Sequence, residues 1–194
     1  YSCVSYGSFH PMYHLPAAKH EKGEMLKIYD RDTRVYHGEI PEAPITYNVV
    51  GNMNEWQVTI GETTFGGRSE LIDTTGIMDY GSLMNVALQR SKTAREAISV
   101  MTTIAETYGF NSSGESFTIC DPHEAWIMEM VGCGIGSKAV AWVAVRIPDN
   151  AISAHANHTR IHKFDQKDKK NVMFSKNCIK FAREKGWYTG KDAD

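Results

Sequence analysis

The run from Asn48 to Arg68, NVVGNMNEWQVTIGETTFGGR, puts polar side chains where a core strand would carry apolar ones. Asn52, Asn54, Glu55, Glu62, Thr63 and Thr64 surround two short apolar alternations, Val49-Val50 and Trp56-Val58-Ile60. This pattern predicts a hairpin whose ends bring amides, hydroxyls and a carboxylate to one rim. Burying such groups costs about 1 to 3 kcal/mol each unless they are paired, so packing alone does not select them. Turn formation does select Asn in Gly-Asn-Met-Asn, because Asn tolerates positive φ and bonds its own backbone, and that reading stands beside the first. A second concentration is SAHANHTRIH, Ser153 to His162, at the end of an expected strand. A cysteine nucleophile needs a stabilised thiolate and fixed donors at the developing oxyanion. Asn54 and Asn157, from separate strands, would supply two amide donors to one carbonyl oxygen.

Other chemistries compete for the same residues. His155, His158 and His162 lie at offsets of three and four, which on a helix would align three imidazoles for a metal. Here the sequence reads as a strand running into a loop, which scatters the rings, so no metal and no cofactor is assigned. A metal-assisted hydrolase using these histidines stands as an alternative. No Gly-x-Ser-x-Gly elbow precedes a helix, and Gly81-Ser82 reads as a helix cap. Glu62, Glu115 and Glu129 fall on or near strands, where an ion-pair role is the commoner one.

Composition narrows the classes. The chain has 194 residues, 42% hydrophobic and 23% charged, enough for one globular domain with a sizeable core. Its 21 basic and 23 acidic residues give a net charge of −2, and the lysine-rich stretch Lys163 to Lys170 also holds two aspartates. That argues against a nucleic-acid partner. No apolar run is long enough for a membrane-spanning helix, so no membrane partner is expected. Cys3, Cys120, Cys133 and Cys178 form no Cys-x-x-Cys pair, which excludes a zinc ribbon and leaves the compartment open.

The elements that must position the polar groups are then read from periodicity. Thr93 to Tyr108 is a helix, with Thr93 and Glu96 as a capping box and Gly109 as its stop. Ser82 to Arg90 and Val172 to Lys185 are two further helices. Strands are expected over Glu115 to Cys120, Ala125 to Val131, Ala139 to Ile147 and Ala151 to His155, the first two joined by a turn at Asp121-Pro122. Near-continuous apolar character in these strands implies sheet faces covered on both sides, an α+β layered sandwich.

Four segments, TYNVVGNMNEWQVTIGETTFGGRSEL, GIMDYGSLMNVALQRSKTAREAISVM, SSGESFTICDPHEAWIMEM and ISAHANHTRI, closely resemble the N-terminal-nucleophile cysteine dipeptidases, the family that includes the secernins. The resemblance runs almost unbroken from about Tyr13 to the last residue. It implies a four-layer αββα sandwich, of which residues 1–194 would be a single, truncated domain. It also implies hydrolysis of dipeptides or short peptides by an N-terminal cysteine whose own α-amino group acts as base. By this resemblance Asn54 and Asn157 match catalytic polar residues of the oxyanion site. Glu62 and Thr63, within the run Glu62-Thr63-Thr64, become substrate-binding candidates, Glu62 for the free amino terminus of a peptide.

The departures from the family pattern matter too. The gapless match places the nucleophile some twenty residues before Tyr1 and puts Val4 where an aspartate is expected. Cys3 followed by Val4-Ser5-Tyr6 is similar to the family's mature start, but accepting it would break the match through Tyr13-His14-Leu15-Pro16, so Cys3 is read as a partly buried thiol. Family chains extend further at the C-terminus. A sandwich without its first hairpin would expose a sheet edge, from which homo-oligomerisation is expected. The rivals are a catalytically silent, secernin-like interaction protein and an amidase acting on acylated amino acids.

Overall fold

A computed structural model describes residues 14–191 and the backbone of two short strands before them, β1 (Cys3–Ser5) and β2 (Ser8–His10). The side chains of Cys3 and Val4, on which two of the expectations above fall, lie outside the described residues. Small strands follow: β3 (His14–Leu15), β4 (Ala18–Lys19), β5 (Met25–Tyr29), β6 (Tyr36–Pro41), β7 (Ile45–Thr46), β8 (Val49–Val50) and β9 (Met53–Asn54). The long strand β10 (Thr59–Gly66) leads to helices α1 (Tyr80–Arg90) and α2 (Ala94–Tyr108). Then come β11 (Gly114–Cys120), β12 (Ala125–Gly132), β13 (Val140–Ile147), β14 (Val172–Phe174) and α3 (Cys178–Glu184). The eight-stranded sheet has the order β14-β13-β12-β11-β10-β9-β8-β3, with every pairing antiparallel.

Both central helices start where their sequences dictate. Asp79 caps α1, its Oδ1 accepting from the Gly81 and Ser82 backbone N–H groups at 2.7 and 3.0 Å. Gly81-Ser82 is therefore the first turn that receives the cap and not the cap itself. Thr93 caps α2 by accepting from the Glu96 N–H at 3.2 Å, and Glu96 reaches back to the Lys92 N–H at 2.7 Å, one residue before the usual capping-box partner. Gly109 ends α2 with a φ of 84°, a left-handed position that glycine adopts without penalty.

Period-two alternation decides which sheet face is buried. Ile60, Phe117, Ile119, Trp126, Met128, Met130 and Ala144 point to one face and pack with Leu83, Ala87, Ile98, Met101 and Ala105 of α1 and α2. The opposite face carries Thr63, Ser116, Thr118, Glu129, Val143 and Val145, and the irregular segment around residues 155–161 crosses it. The described residues thus give a mixed α/β fold with one large antiparallel sheet and three helices. No helix among them is long and apolar enough to cross a membrane.

Three expected elements differ. Val172–Phe174 pairs with β13 as β14, and helix α3 starts only at Cys178. β-Branched Val172 and aromatic Phe174 meet Val145 and Val143, and this pairing overrides the helical spacing. Ala151 to His155 forms no strand. Trp56 lies in a loop, 45% exposed, while the tight hairpin closes earlier, between β8 and β9 at Gly51, whose φ is 60°.

Asn54 ties this hairpin to the helical layer. Its Oδ1 accepts from the Trp56 and Val58 backbone N–H groups, both at 3.0 Å. Its Nδ2 donates to the carbonyls of Leu88 at 2.8 Å and Ser91 at 2.7 Å, closing the end of α1. Replacing Asn54 with Ala strands four backbone groups, so a loss of about 4 kcal/mol in unfolding free energy is expected, read from the midpoint of a urea titration.

Candidate active site

β10 pairs with β11 over its whole length, but with β9 only through Thr59. The Ile60 N–H still reaches the Asn52 carbonyl at 3.0 Å. By alternation the N–H and C=O groups of Glu62 and Thr64 point the same way, and no described strand pairs with them there. The free edge ends in a bulge between Thr64 and Gly66, a device that re-aims side chains at the end of a strand.

Asn157 sits on that edge. Its amide nitrogen donates to the Thr64 carbonyl at 2.6 Å, and the residue is exposed, its second amide hydrogen making no hydrogen bond among the described residues. Just before it, Thr63 Oγ1 donates to the Ala156 carbonyl at 3.1 Å and meets His155 Nδ1 at 3.0 Å. The hydroxyl has one hydrogen, so Nδ1 is the donor to it, and Nε2 accepts from Thr118 Oγ1 at 2.6 Å. His155 is thereby clamped between β10 and β11. Further along, Glu129 Oε1 accepts from the backbone N–H groups of Arg160 and Ile161. These contacts lay the segment holding Asn157 across three strands.

The other face of the same strands is acidic. Glu115 is 1% exposed, and Thr64 Oγ1 donates to its Oε1 at 3.0 Å. Its Oε2 and the Oε2 of Glu62 are both buried without a hydrogen-bond partner. Burial, reinforced by the neighbouring Glu62 charge and by Asp32, pushes the Glu115 carboxyl up to about 8. Above them the Tyr80 hydroxyl donates to Asp32, 3.1 Å from each carboxylate oxygen, and burial together with the Asp32 charge raises that hydroxyl's pKa.

Of the residues singled out by sequence, the fold therefore brings Asn157, Thr63 and Glu62 to one strand, with Glu62 on the opposite face from Thr63. Asn54 is not among them. It is 4% exposed, and both amide hydrogens are engaged by α1 carbonyls, so it has no donor left for an oxyanion. Glu62, Glu115 and Glu129 make no ion pair among the described residues, contrary to the commoner reading. Two partners were missed. Thr118 and the pairing of Glu115 with Glu62 become visible only once the β10–β11 register is known, although a glutamate inside the apolar strand GESFTIC was a signal in itself.

The three histidines are not gathered for a metal, and Cys120, Cys133 and Cys178 are not poised as thiolates. His155 is held by threonines, and His158 and His162 do not join it in any three-ligand group among the described residues. One such group exists elsewhere, Asp30, His37 and Asp79, with ligand atoms within 4.8 Å. Asp79 is engaged in capping α1 and Asp30 in holding the turn at Thr33, accepting from its N–H at 2.6 Å. Cys120, Cys133 and Cys178 are free thiols, and burial raises the pKa of each, Cys133 up to about 11, the opposite of what a nucleophilic thiolate needs.

The model of peptidase family C69 matches residues 6–194. A probable dipeptidase of Salmonella dublin is 26% identical over 194 residues, covering 89% of this chain and 42% of that relative. A probable dipeptidase of Latilactobacillus sakei is 30% identical over 101 residues, covering 52% of this chain and 20% of the relative. A probable dipeptidase A of Streptococcus pyogenes is 25% identical over 155 residues, 71% of this chain and 31% of the relative. The chain thus spans less than half the length of these curated relatives.

The Glu115 carboxyl gives the fold a measurable pH dependence. With its folded pKa raised from 4.5 to about 8, the native state holds a proton that the unfolded chain releases. The associated stability is complete below about pH 4.5 and is lost as the pH rises through about 8. Thermal unfolding midpoints should fall across that window, and Glu115→Gln should flatten the fall.

Proposed function

The chain belongs to peptidase family C69, and from that premise we propose that the protein it is drawn from hydrolyses dipeptides or short peptides through an N-terminal cysteine. In this reading the αββα sandwich is completed by a second sheet from the rest of the protein, packed on the face that carries Thr63 and Val143. The nucleophile, a cysteine preceding this chain, stands at the free edge of β10. Its α-amino group takes the thiol proton, and the thiolate attacks the scissile carbonyl carbon.

The observation that carries the reading is Asn157. Its amide is fixed by the Thr64 carbonyl at 2.6 Å, beside the Thr63–His155–Thr118 clamp, at an exposed position on a strand edge with one N–H not otherwise engaged. A donor held in this way can meet the negative charge that builds on the carbonyl oxygen without reorganising, which is how an oxyanion site lowers a barrier. Thr63 acts through position: it holds His155 and the Ala156 carbonyl, and so sets the loop from which Asn157 projects. Glu62, half-buried with an unpartnered carboxylate oxygen, is suited to the free ammonium group that distinguishes a dipeptide from an acylated amino acid.

Asn157→Ala in the full-length protein should lower kcat for a dipeptide by about a hundred- to a thousandfold, with the melting temperature little changed because the side chain is exposed. Steady-state kinetics beside thermal melts check this, and a variant with unaltered kcat removes Asn157 from the chemistry. Wild-type protein that binds peptides but cleaves none would favour the catalytically silent alternative.

A further inference from the structure

We propose that Glu62 and Glu115 together form the subsite for the α-ammonium group of the peptide, with Glu115 as its second acceptor and one proton shared between the two carboxyls in the free protein. The inference rests on the peptidase reading above and adds a residue to it.

Register puts the two side chains together. Glu115 lies opposite Thr64, and Glu62 lies opposite Phe117, so the two carboxylates are diagonal neighbours on one face of the β10–β11 pair. Thr64 satisfies one oxygen of Glu115, which leaves the Oε2 of each glutamate buried with no partner among the described residues except the other carboxyl, and that contact needs a shared proton. Such atoms cost stability unless something meets them. The groups facing the pair from other elements are Asp32 and Arg31 from the β5–β6 turn and Tyr80 from α1, while β12 brings Met130 opposite Glu115. The Arg31 guanidinium lies over the Tyr80 ring, 6.0 Å from its centre, and pairs with neither glutamate. Among the described residues no cation forms an ion pair with either glutamate, and loss of the shared proton would leave two buried acceptors with net negative charge. An ammonium group, with a positive charge and three N–H donors, matches that need.

The location fits the same reading. Glu62 is the half-buried member through which the pair is reached, and its own N–H and C=O point to the open edge that also holds Asn157 at Thr64. On the helix side Asp32, exposed and hydrogen-bonded to the Tyr80 hydroxyl, adds a further negative charge near the pair.

Binding then has a proton balance. The ammonium is held by two ionised carboxylates, so the proton on Glu115 passes to solvent, one for each amine bound, and no covalent bond changes. Because burial holds Glu115 up to about 8, affinity for the amine rises about tenfold per pH unit on approaching that value from below. It falls again once the substrate's own ammonium, with a pKa of about 8, deprotonates.

The test uses the full-length protein and its Glu115→Gln and Glu62→Gln variants. Two measurements are made: kcat/KM for a dipeptide and its N-acetyl counterpart between about pH 5.5 and 9, and calorimetry of leucinamide binding in two buffers of different ionisation heat. Wild-type protein should show the rising slope in 1/KM and release about one proton per leucinamide. Glu115→Gln should abolish both and cut the preference for the free amine by about tenfold or more. Glu62→Gln, at a more exposed position, should cut the same preference while Glu115, still raised by burial, keeps part of the proton release, which guards against a folding defect in the first variant. If the wild type cleaves dipeptides while Glu115→Gln keeps slope and preference, the subsite is overturned and the peptidase reading stands. If the wild type cleaves none yet binds leucinamide with proton release, the peptidase reading falls and the subsite stands. Binding of leucinamide without proton release, or no binding, overturns the subsite.

Discussion

Antiparallel pairing of β10 with β11 is the contact through which every proposed functional group acquires its place. A paired strand presents its side chains alternately to two faces and its backbone groups alternately to two edges. On β10 this rule sends Glu62 and Thr64 to the helix side, Thr63 to the other, and the Thr64 carbonyl to the free edge. A slip of one residue would exchange the faces, burying Thr63 beside Glu115 and freeing His155. Ile60 and Ile119, both fully buried against the helices, prevent that slip.

Polar burial separates scaffold from site. Where a buried polar group holds the fold, its bonding capacity is filled: Asn54 closes α1 with four hydrogen bonds, and Asp79 starts the same helix with both oxygens engaged. Among the buried side-chain atoms left without a hydrogen bond, Glu62 Oε2 and Glu115 Oε2 share the helix-side face of the β10–β11 pair, and Ser116 Oγ lies on its other face. Stability alone gives no reason to keep the two carboxyls side by side on adjacent strands, since their burial has a desolvation cost. A binding surface does give one.

Much of the scaffold was legible in the residues. Thr93, Glu96 and Gly109 mark the limits of α2, and Asp121-Pro122 marks the turn between β11 and β12, because caps and turns act over three or four residues. The candidate site was legible only in part. Asn157, Thr63 and Glu62 stood out because amides, hydroxyls and carboxylates are unusual in such strands. Asn54 stood out for the same reason, yet belongs to the scaffold, and the letters alone do not distinguish an amide engaged by α1 carbonyls from one facing a substrate. Val172 to Phe174 shows the same limit, since helical spacing in the sequence yielded to a vacant hydrogen-bonding edge on β13.

The sequence by itself determined the family, the two central helices, the hairpin strands and the list of polar residues from which a site is drawn, because these depend on local periodicity and on long motifs. Tertiary structure decided which of those residues share a surface. It placed Glu115 beside Glu62, clamped His155 between Thr63 and Thr118, and turned Asn54 inward, since strand register and the seating of a loop between residues some 90 positions apart depend on long-range packing and hydrogen bonding that no local pattern encodes.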